Sequence, residues 1–515
     1  MVSLSSTSVS EQPLNDRLVY WGFLSLLVWV PLPLGSNRTW AVAILICFSQ
    51  LLLLGSAYAW RNALPEALAR LARFKWPLLL LAAFCGLVMF QLVPLSASLL
   101  GLLSPETLAV KEGVASLELS LDPAQTSIYA ALSFAYFSCF LVAVLTIRDK
   151  ERLDRMAFIL VCSGLLQALL GVALYSVRAK YQIFFFEVFH KRVLGTYGYH
   201  NHMAGYMEMC LSVGIGLMLA RLGSSRRRRA LGDWKQKLQV AFEFMLSPKM
   251  RLRMVLIVIV IALVLTRSRM GNGGFFISML VVGLLSISLS RKMAPATVGL
   301  IASLVIIDVV VVGSWVGVEK VVNRMQNTTM SQEGVVGAKS ASGGPIEESV
   351  ELRLEAARYA LDLVEAFPVF GTGAGTFYNT YIRYRAPRHY YWDHAHNDYV
   401  EIAADNGLVG LGILGLFVVL TAAKAIQVLR KRRSSLPRGI AFGGLMALLS
   451  LMIHSAVDFN LQTPANALTL VVVMSMIWIA SELPSGDNAS EAVKKVRRSR
   501  RRRSSSTVDE SLGVA

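Results

Sequence analysis

The run "HAHNDYVEIAADNGLVGLG", residues 394–412, carries His394, His396, Asp398, Glu401 and Asp405 straight into the apolar stretch "ILGLFVVLTAA". An imidazole with an unperturbed pKa of about 6.5 can take a proton from a hydroxyl at neutral pH. A second His-x-His pair, His200 and His202 in "GTYGYHNHMAGYMEM", heads another apolar run. Neither pair has a cysteine beside it or His-x-x-x-His spacing, so the pattern falls short of a metal site and none is expected. Chemistry placed this way, at the edge of an apolar run, asks what the surrounding elements are.

The elements are membrane spans. Of 515 residues 55% are hydrophobic and only 16% charged, and apolar runs of about 20 residues, enough to cross a bilayer, recur along the chain. They predict about twelve spans, near 18–35, 40–59, 76–95, 127–147, 154–176, 202–220, 252–266, 272–290, 296–317, 407–426, 439–458 and 465–481. The expected fold is an all-α polytopic membrane protein. Lysine and arginine favour the cytoplasmic side, and "RLARFK", "RDKER", "RLGSSRRRR", "RK", "LRKRRSS" and "RRSRRRR" all fall between spans on one side or in the tail. Both termini are therefore expected in the cytoplasm: residues 1–17 as a short N-terminus, 18–317 as helices one to nine, 318–406 as a large outer loop, 407–481 as helices ten to twelve, and 482–515 as a basic tail. Topology accounts for the net charge of +18, which excludes the need for a nucleic-acid partner. No cleaved signal peptide is read ahead of the first span. All five cysteines lie inside apolar spans without paired spacing, so they read as small packing residues.

With this topology six of the seven histidines face outward, and so do two arginines that oppose the usual bias. Arg267 and Arg269, in "LTRSRMGNGG", stand just before Gly271 and the next helix, whose free N–H groups also favour an anion. A phosphate at the membrane surface fits there; anchoring to lipid headgroups is the plainer reading. In the outer loop, "NTTMSQEGVVGAKSASGGP" (327–345) reads as a mobile connection. "ESVELRLEAARYALDLVEAFPVFG" (348–371) reads as an amphipathic helix through Val350, Leu354, Ala357, Leu361 and Val364, stopped by Pro368 and Gly371. Arg358 has Glu355 and Asp362 at helical spacing, whereas Arg353 has no acid there and is either free for an anion or a solvated surface arginine. "GTGAGTF" (371–377) follows a helix and lacks a lysine, so it is a turn and not a phosphate loop. His454 and Asp458 share a helix face near the outer edge, where a structural tie between spans competes with a functional role. Aromatic residues around these positions, Tyr197, Tyr199, Phe377, Tyr384 and Trp392 among them, suit a membrane belt or flat surfaces for sugar rings.

Together, His396-Asn397, Gly407 and Gly410, the Ser268-Arg269-x-Gly271 turn, and Arg353 ahead of Pro368-x-x-Gly371 resemble the signature of the O-antigen ligase family, over about residues 190–480. The resemblance implies a membrane glycosyltransferase fold of the C type with a large periplasmic loop between helices nine and ten. It also implies transfer of a glycan from undecaprenyl diphosphate to an acceptor hydroxyl at the periplasmic face of the bacterial inner membrane, inverting, with no cofactor and no metal. On that reading His396 is the base and Asn397 orients it or the acceptor. Arg269, Arg353 and Arg267 bind the donor diphosphate, His394, His202, His454 and Asp458 support them, and Gly407 and Gly410 allow close helix approach. The expected partners are the lipid-linked glycan, membrane lipids and an acceptor that is lipid A-core, another glycan (making the enzyme a polymerase) or a protein. A transporter of the same glycolipid is the competing class; it would concentrate polar groups at mid-membrane and often repeat its helices, and neither pattern is read here.

Overall fold

The computed structural model describes residues 14–177, 181–183, 186–188, 192–222, 247–289, 299, 350–384 and 393–484. Apolar runs closed by local caps make it helical. Asp122 accepts the N–H of Gln125 ahead of Pro123, and Ser247 accepts that of Met250 ahead of Pro248. In both, a hydrogen-bonding cap is followed by a proline that gives up an N–H with no helical partner.

The long helices are α1 (Leu14–Trp29), α2 (Thr39–Trp60), a bent pair α3 (Leu64–Ala72) and α4 (Lys75–Phe90), then, after short α5 (Ala97–Leu103) and α6 (Pro105–Val110), α7 (Pro123–Thr146) and α8 (Lys150–Val177). A small antiparallel hairpin, β1 (Tyr181–Ile183) and β2 (Phe186–Val188), sets Tyr181 opposite Val188. There follow α9 (His200–Leu222), α10 (Pro248–Leu265), α11 (Arg269–Leu289), α12 (Val350–Ala366), the single turn α13 (Phe377–Thr380), α14 (Asp398–Lys431), α15 (Ser435–Ser455) and α16 (Pro464–Glu482). The chain is a polytopic all-α membrane protein. Eight of these helices are long and apolar enough to cross a bilayer, and α3 with α4, bent by 89°, would make a ninth, where the sequence predicted about twelve. The difference lies in α1, with only 16 residues, in α10, whose start carries Lys249, Arg251 and Arg253, and in the predicted span 296–317, which lies outside the described residues. The predicted insert at 327–345 and most of the basic tail lie outside them too.

Helix α9 forms the axis: 94% of its apolar stretch is buried, against 22% for α14. Gly439 and Gly443 of α15 lie directly on the backbone of α9 at Ser212 and Gly216, a close approach that packing between membrane helices depends on. Successive helices run in alternate directions, so one end of the bundle collects basic side chains. There Asp16 pairs with Arg148 at 2.6 Å and Arg152 at 2.7 Å. Arg221 pairs with Asp154 at 3.0 Å, and Arg70 and Arg432 donate to the carbonyls of Ile147 and Leu483. The opposite end carries the described histidines, His200, His202, His394, His396 and His454.

At that opposite end α12 and α13 form a layer over the bundle, with a small core of Ala356, Ala360, Leu363, Phe367, Phe377, Tyr381, Ala395 and Ala404. Helix α12 occurs where predicted, but its buried face is displaced from the expected one: Ala356, Ala360 and Leu363 are inside while Leu361 is 47% exposed. The small side chains turn inward because α12 lies close against α14. The Pro368–Gly371 turn then clasps α14 backbone to backbone. Leu408 N–H donates to Pro368 at 2.8 Å, Thr372 N–H to Ala404 at 2.9 Å and Gly373 N–H to Asp405 at 3.0 Å. Gln91, at the end of α4, ties both sides by donating to Phe370 at 2.7 Å and Asp405 at 3.0 Å. Residues 371–376 are a turn, as expected, with Gly371, Gly373 and Gly375 all at positive φ.

Candidate active site

The site is built on the segment entering α14. Helix α14 begins at Asp398, nine residues before Gly407, and contains a kink there. Asn397 caps it: Oδ1 accepts the N–H groups of Tyr399 at 3.0 Å and Val400 at 3.2 Å, and Nδ2 donates to the Ala456 carbonyl at 3.0 Å. Asp398 N–H donates to the Asp458 carbonyl, and its carboxylate accepts the Leu461 N–H at 3.1 Å. Residues 396–398 are thus stitched to the turn between α15 and α16. Both side-chain polar groups of Asn397 are engaged, Oδ1 in capping α14 and Nδ2 in the tie to Ala456. His396 itself holds φ +49 and is buried. A histidine in left-handed backbone is uncommon and costs about 1–3 kcal/mol unless its surroundings impose it.

Phe459 is the hub of the site. His394 stacks on its ring at 4.3 Å, His396 and His202 meet it edge-on at 4.9 Å and 4.7 Å, and Tyr199 stacks at 5.7 Å. His202 also bonds through Nδ1 to Thr463 Oγ1 at 2.9 Å. The two predicted His-x-His motifs, almost 200 residues apart, therefore share one aromatic surface. Among the described residues no three His, Cys, Asp or Glu side chains converge as metal ligands would.

Of the 394–396 motif, His394 is the histidine paired with a carboxylate. His394 Nδ1 lies 2.7 Å from Glu401 Oε1, while Glu401 Oε2 accepts the Ala395 N–H at 2.9 Å. Burial opposes charge on His394, but the charge and hydrogen bond of Glu401, with Asp393 and Asp398 adding to it, outweigh burial and hold its pKa at about 9. His394 is thereby held in its protonated form at neutral pH. Because the folded value lies above the unfolded one of about 6.5, the pair's stabilisation is complete below about pH 6.5 and is lost as pH rises through about 9. The thermal midpoint is expected to fall between about pH 7 and 9.5, with a flatter profile in His394→Gln. An identical slope in that variant would assign the loss to other groups.

The arginine turn closes the site from α11. Arg267 lies in left-handed backbone, φ +55, and both Arg267 and Arg269 are exposed; neither side chain makes a hydrogen bond or ion pair among the described residues. Ser268 is buried between them, its Oγ accepting the Gly271 N–H at 3.1 Å and standing 3.5 Å from His454 Nε2. His454 Nδ1 lies 2.7 Å from Glu208 Oε1, and Asp458 is 4.0 Å from Nε2 and also bonds Asn201. His454 thus joins the arginine turn to the turn that carries Phe459. Arg353 lies in the first turn of α12, its side chain outside the described residues. Arg358 is exposed, and among the described residues it lacks the expected ion pair to Asp362.

Sequence reasoning missed Glu208, Asn201, Gln91 and Phe459. Glu208 did leave a signal, as the acid inside the apolar run 202–220; Phe459 left none, since a single phenylalanine at a span end is ordinary.

A helical membrane bundle that holds histidines, arginines and carboxylates at one end, beneath a clasped outer layer, is built as an enzyme of the lipid–water boundary. Residues 254–415 match the family model described as O-antigen ligase, the family that the motifs resemble. The match includes Arg267, Arg269, Arg353, His394, His396, Asn397, Gly407 and Gly410, and supports a glycosyltransferase-type enzyme, ligase or polymerase. No curated protein matches the chain.

Proposed function

We propose that the protein transfers a glycan from undecaprenyl diphosphate to an acceptor hydroxyl at the periplasmic face of the bacterial inner membrane, as an inverting O-antigen ligase-like glycosyltransferase. The observation that carries this reading is the shared seam through His454: it brings a candidate base, His396, to the same end of the bundle as two exposed arginines. The basic side chains at the far end support the orientation, since cytoplasmic loops retain lysine and arginine.

The chemistry follows from the charges. The acceptor oxygen bonds to the anomeric carbon as the bond from that carbon to the diphosphate oxygen breaks; the electron pair leaves with the diphosphate and the acceptor proton passes to His396. Attack opposite the leaving group inverts the centre. A diphosphate is already a stable leaving group, so the enzyme needs mainly cations where negative charge grows. Arg269 and Arg267 supply them from the turn ahead of α11, and Arg353 by family resemblance. The diphosphate sits at the head of a lipid, so this chemistry belongs at the end of the spans.

Arg269→Ala is expected to raise the donor KM about tenfold, since a hydrogen bond to a charged group contributes about 1.5–3 kcal/mol. Arg358→Ala, exposed on the outer layer, should change it less than about twofold. Equal damage from both would undo the assignment of Arg269. The reading as a whole is tested by incubating the purified chain with undecaprenyl-diphosphate glycan and separated acceptors (lipid A-core, a second lipid-linked glycan, a protein) and weighing the products. The acceptor consumed separates ligase, polymerase and protein glycosylation. No product with any acceptor, together with glycolipid movement across vesicles, would make it a transporter.

A further inference from the structure

Glu208 lies in the third turn of α9, fully buried, on a helix that is itself buried nearly throughout. A carboxylate inside a membrane bundle is costly and persists where partners hold it for a purpose. Its partners are specific. Oε1 meets His454 Nδ1 at 2.7 Å and Oε2 takes the hydroxyl of Ser450. The bond at Nδ1 turns the other ring nitrogen of His454 toward Ser268 Oγ, 3.5 Å away.

A second contact reaches the same turn independently. A Cβ placed on Gly271 would stand 2.8 Å from the Ala204 side chain, 3.0 Å from Glu208 Oε1 and 3.0 Å from Ser268 Oγ. The first turn of α11 therefore rests directly on the Glu208 carboxylate, and only glycine lets it do so. Ser268 in turn fixes its neighbours: its N–H donates to Thr266 Oγ1 at 3.2 Å, its Oγ caps Gly271, and its carbonyl accepts from Asn272 at 2.7 Å. Those bonds impose the left-handed backbone at Arg267. Ser268, His454 and Glu208 have the order of a nucleophile, base and carboxylate triad. All three are buried, at 1%, 0% and 0% exposure, and the chain they form ends on the turn between the two exposed arginines.

We propose that Glu208 is a positioning residue: through His454 and Ser268 it sets the turn that aims Arg267 and Arg269 at an anionic diphosphate. This rests on the reading of those arginines as donor ligands. The experiment uses the full-length protein in detergent and measures binding of inorganic diphosphate by calorimetry, with donor KM and kcat measured alongside. Glu208→Gln keeps the shape and replaces the carboxyl group with an amide. It is expected to weaken diphosphate binding and raise the donor KM by about tenfold, with kcat changed less than about threefold and the acceptor KM unchanged. Ser268→Ala, which cuts the same chain nearer the arginines, should do the same and carries the test if Glu208→Gln does not fold. Because Glu208 acts through the turn that carries both arginines, Glu208→Gln added to the pair Arg267→Ala and Arg269→Ala should bind diphosphate no worse than that pair alone. A fall in kcat with binding unchanged in both variants, or a further loss when Glu208→Gln is added to that pair, would overturn the proposal. If Arg269→Ala leaves diphosphate binding untouched, the assignment of the arginines fails; if Arg269→Ala weakens it and Glu208→Gln and Ser268→Ala do not, only the role of Glu208 fails.

Discussion

His396→Ala is expected to abolish glycan transfer, with a loss of about a thousandfold or more, and to leave the protein folded. A positioned general base contributes about 10²–10⁴-fold, and none of its neighbours can replace it. His394 holds its proton against Glu401 until about pH 9, and Asn397 has no basic group and is committed to capping α14 and to Ala456. The fold should survive because Asn397 and Asp398 stitch α14 to the α15–α16 turn. The loss includes the edge-on contact with Phe459, worth about 0.5–1.5 kcal/mol. Product mass and thermal midpoint, read on the same preparation, check both halves. Normal transfer by a folded His396→Ala protein would remove the base assignment.

The sequence made the helices legible because apolar length is a local property, and it made the motif histidines legible because two ionisable rings at a span end stand out. Boundaries were less legible. Asp398, Glu401 and Asp405 dilute the apolar character of the first turns of α14, so apolarity marks the start of the membrane at 407 while the helix starts at Asp398. The inward face of α12 was misplaced for a related reason: the sequence ranks Leu361 above Ala360 as a core residue, but close docking on α14 selects the smaller side chain. The links that assemble the site were out of reach altogether. Glu208 meets Ser450 and His454 across more than 240 residues, and Gln91 bridges Phe370 and Asp405 across 279 and 314. Spacing cannot register such pairs.

Gly407→Ala should be the most damaging of the glycine substitutions in the motif, although it touches no reacting atom. Gly407 holds φ +66 and ψ 179 inside α14, a combination essentially confined to glycine. A Cβ there would also lie inside the Val369 carbonyl group, which no side-chain adjustment can relieve, because the obstacle is backbone. Relief requires the Pro368–Gly371 turn to leave α14, and with it the bonds from Leu408 to Pro368 and from Val409 to Val369. Strain of about 1–3 kcal/mol and two lost hydrogen bonds at about 1 kcal/mol each give a cost of about 3–5 kcal/mol, enough to unfold a marginal protein. Gly410→Leu should be milder in stability, about 1–3 kcal/mol, because its Cβ meets the side chains of Asn406 and Leu87. By pushing α14 off α4 it should still displace His396 and lower transfer. Gly412, where an added Cβ would meet nothing within 4 Å, is the control, and Gly412→Ala should match wild type in thermal midpoint and rate. Equal midpoints for Gly407→Ala and Gly412→Ala would show that the clasp between the outer layer and α14 does not hold the site.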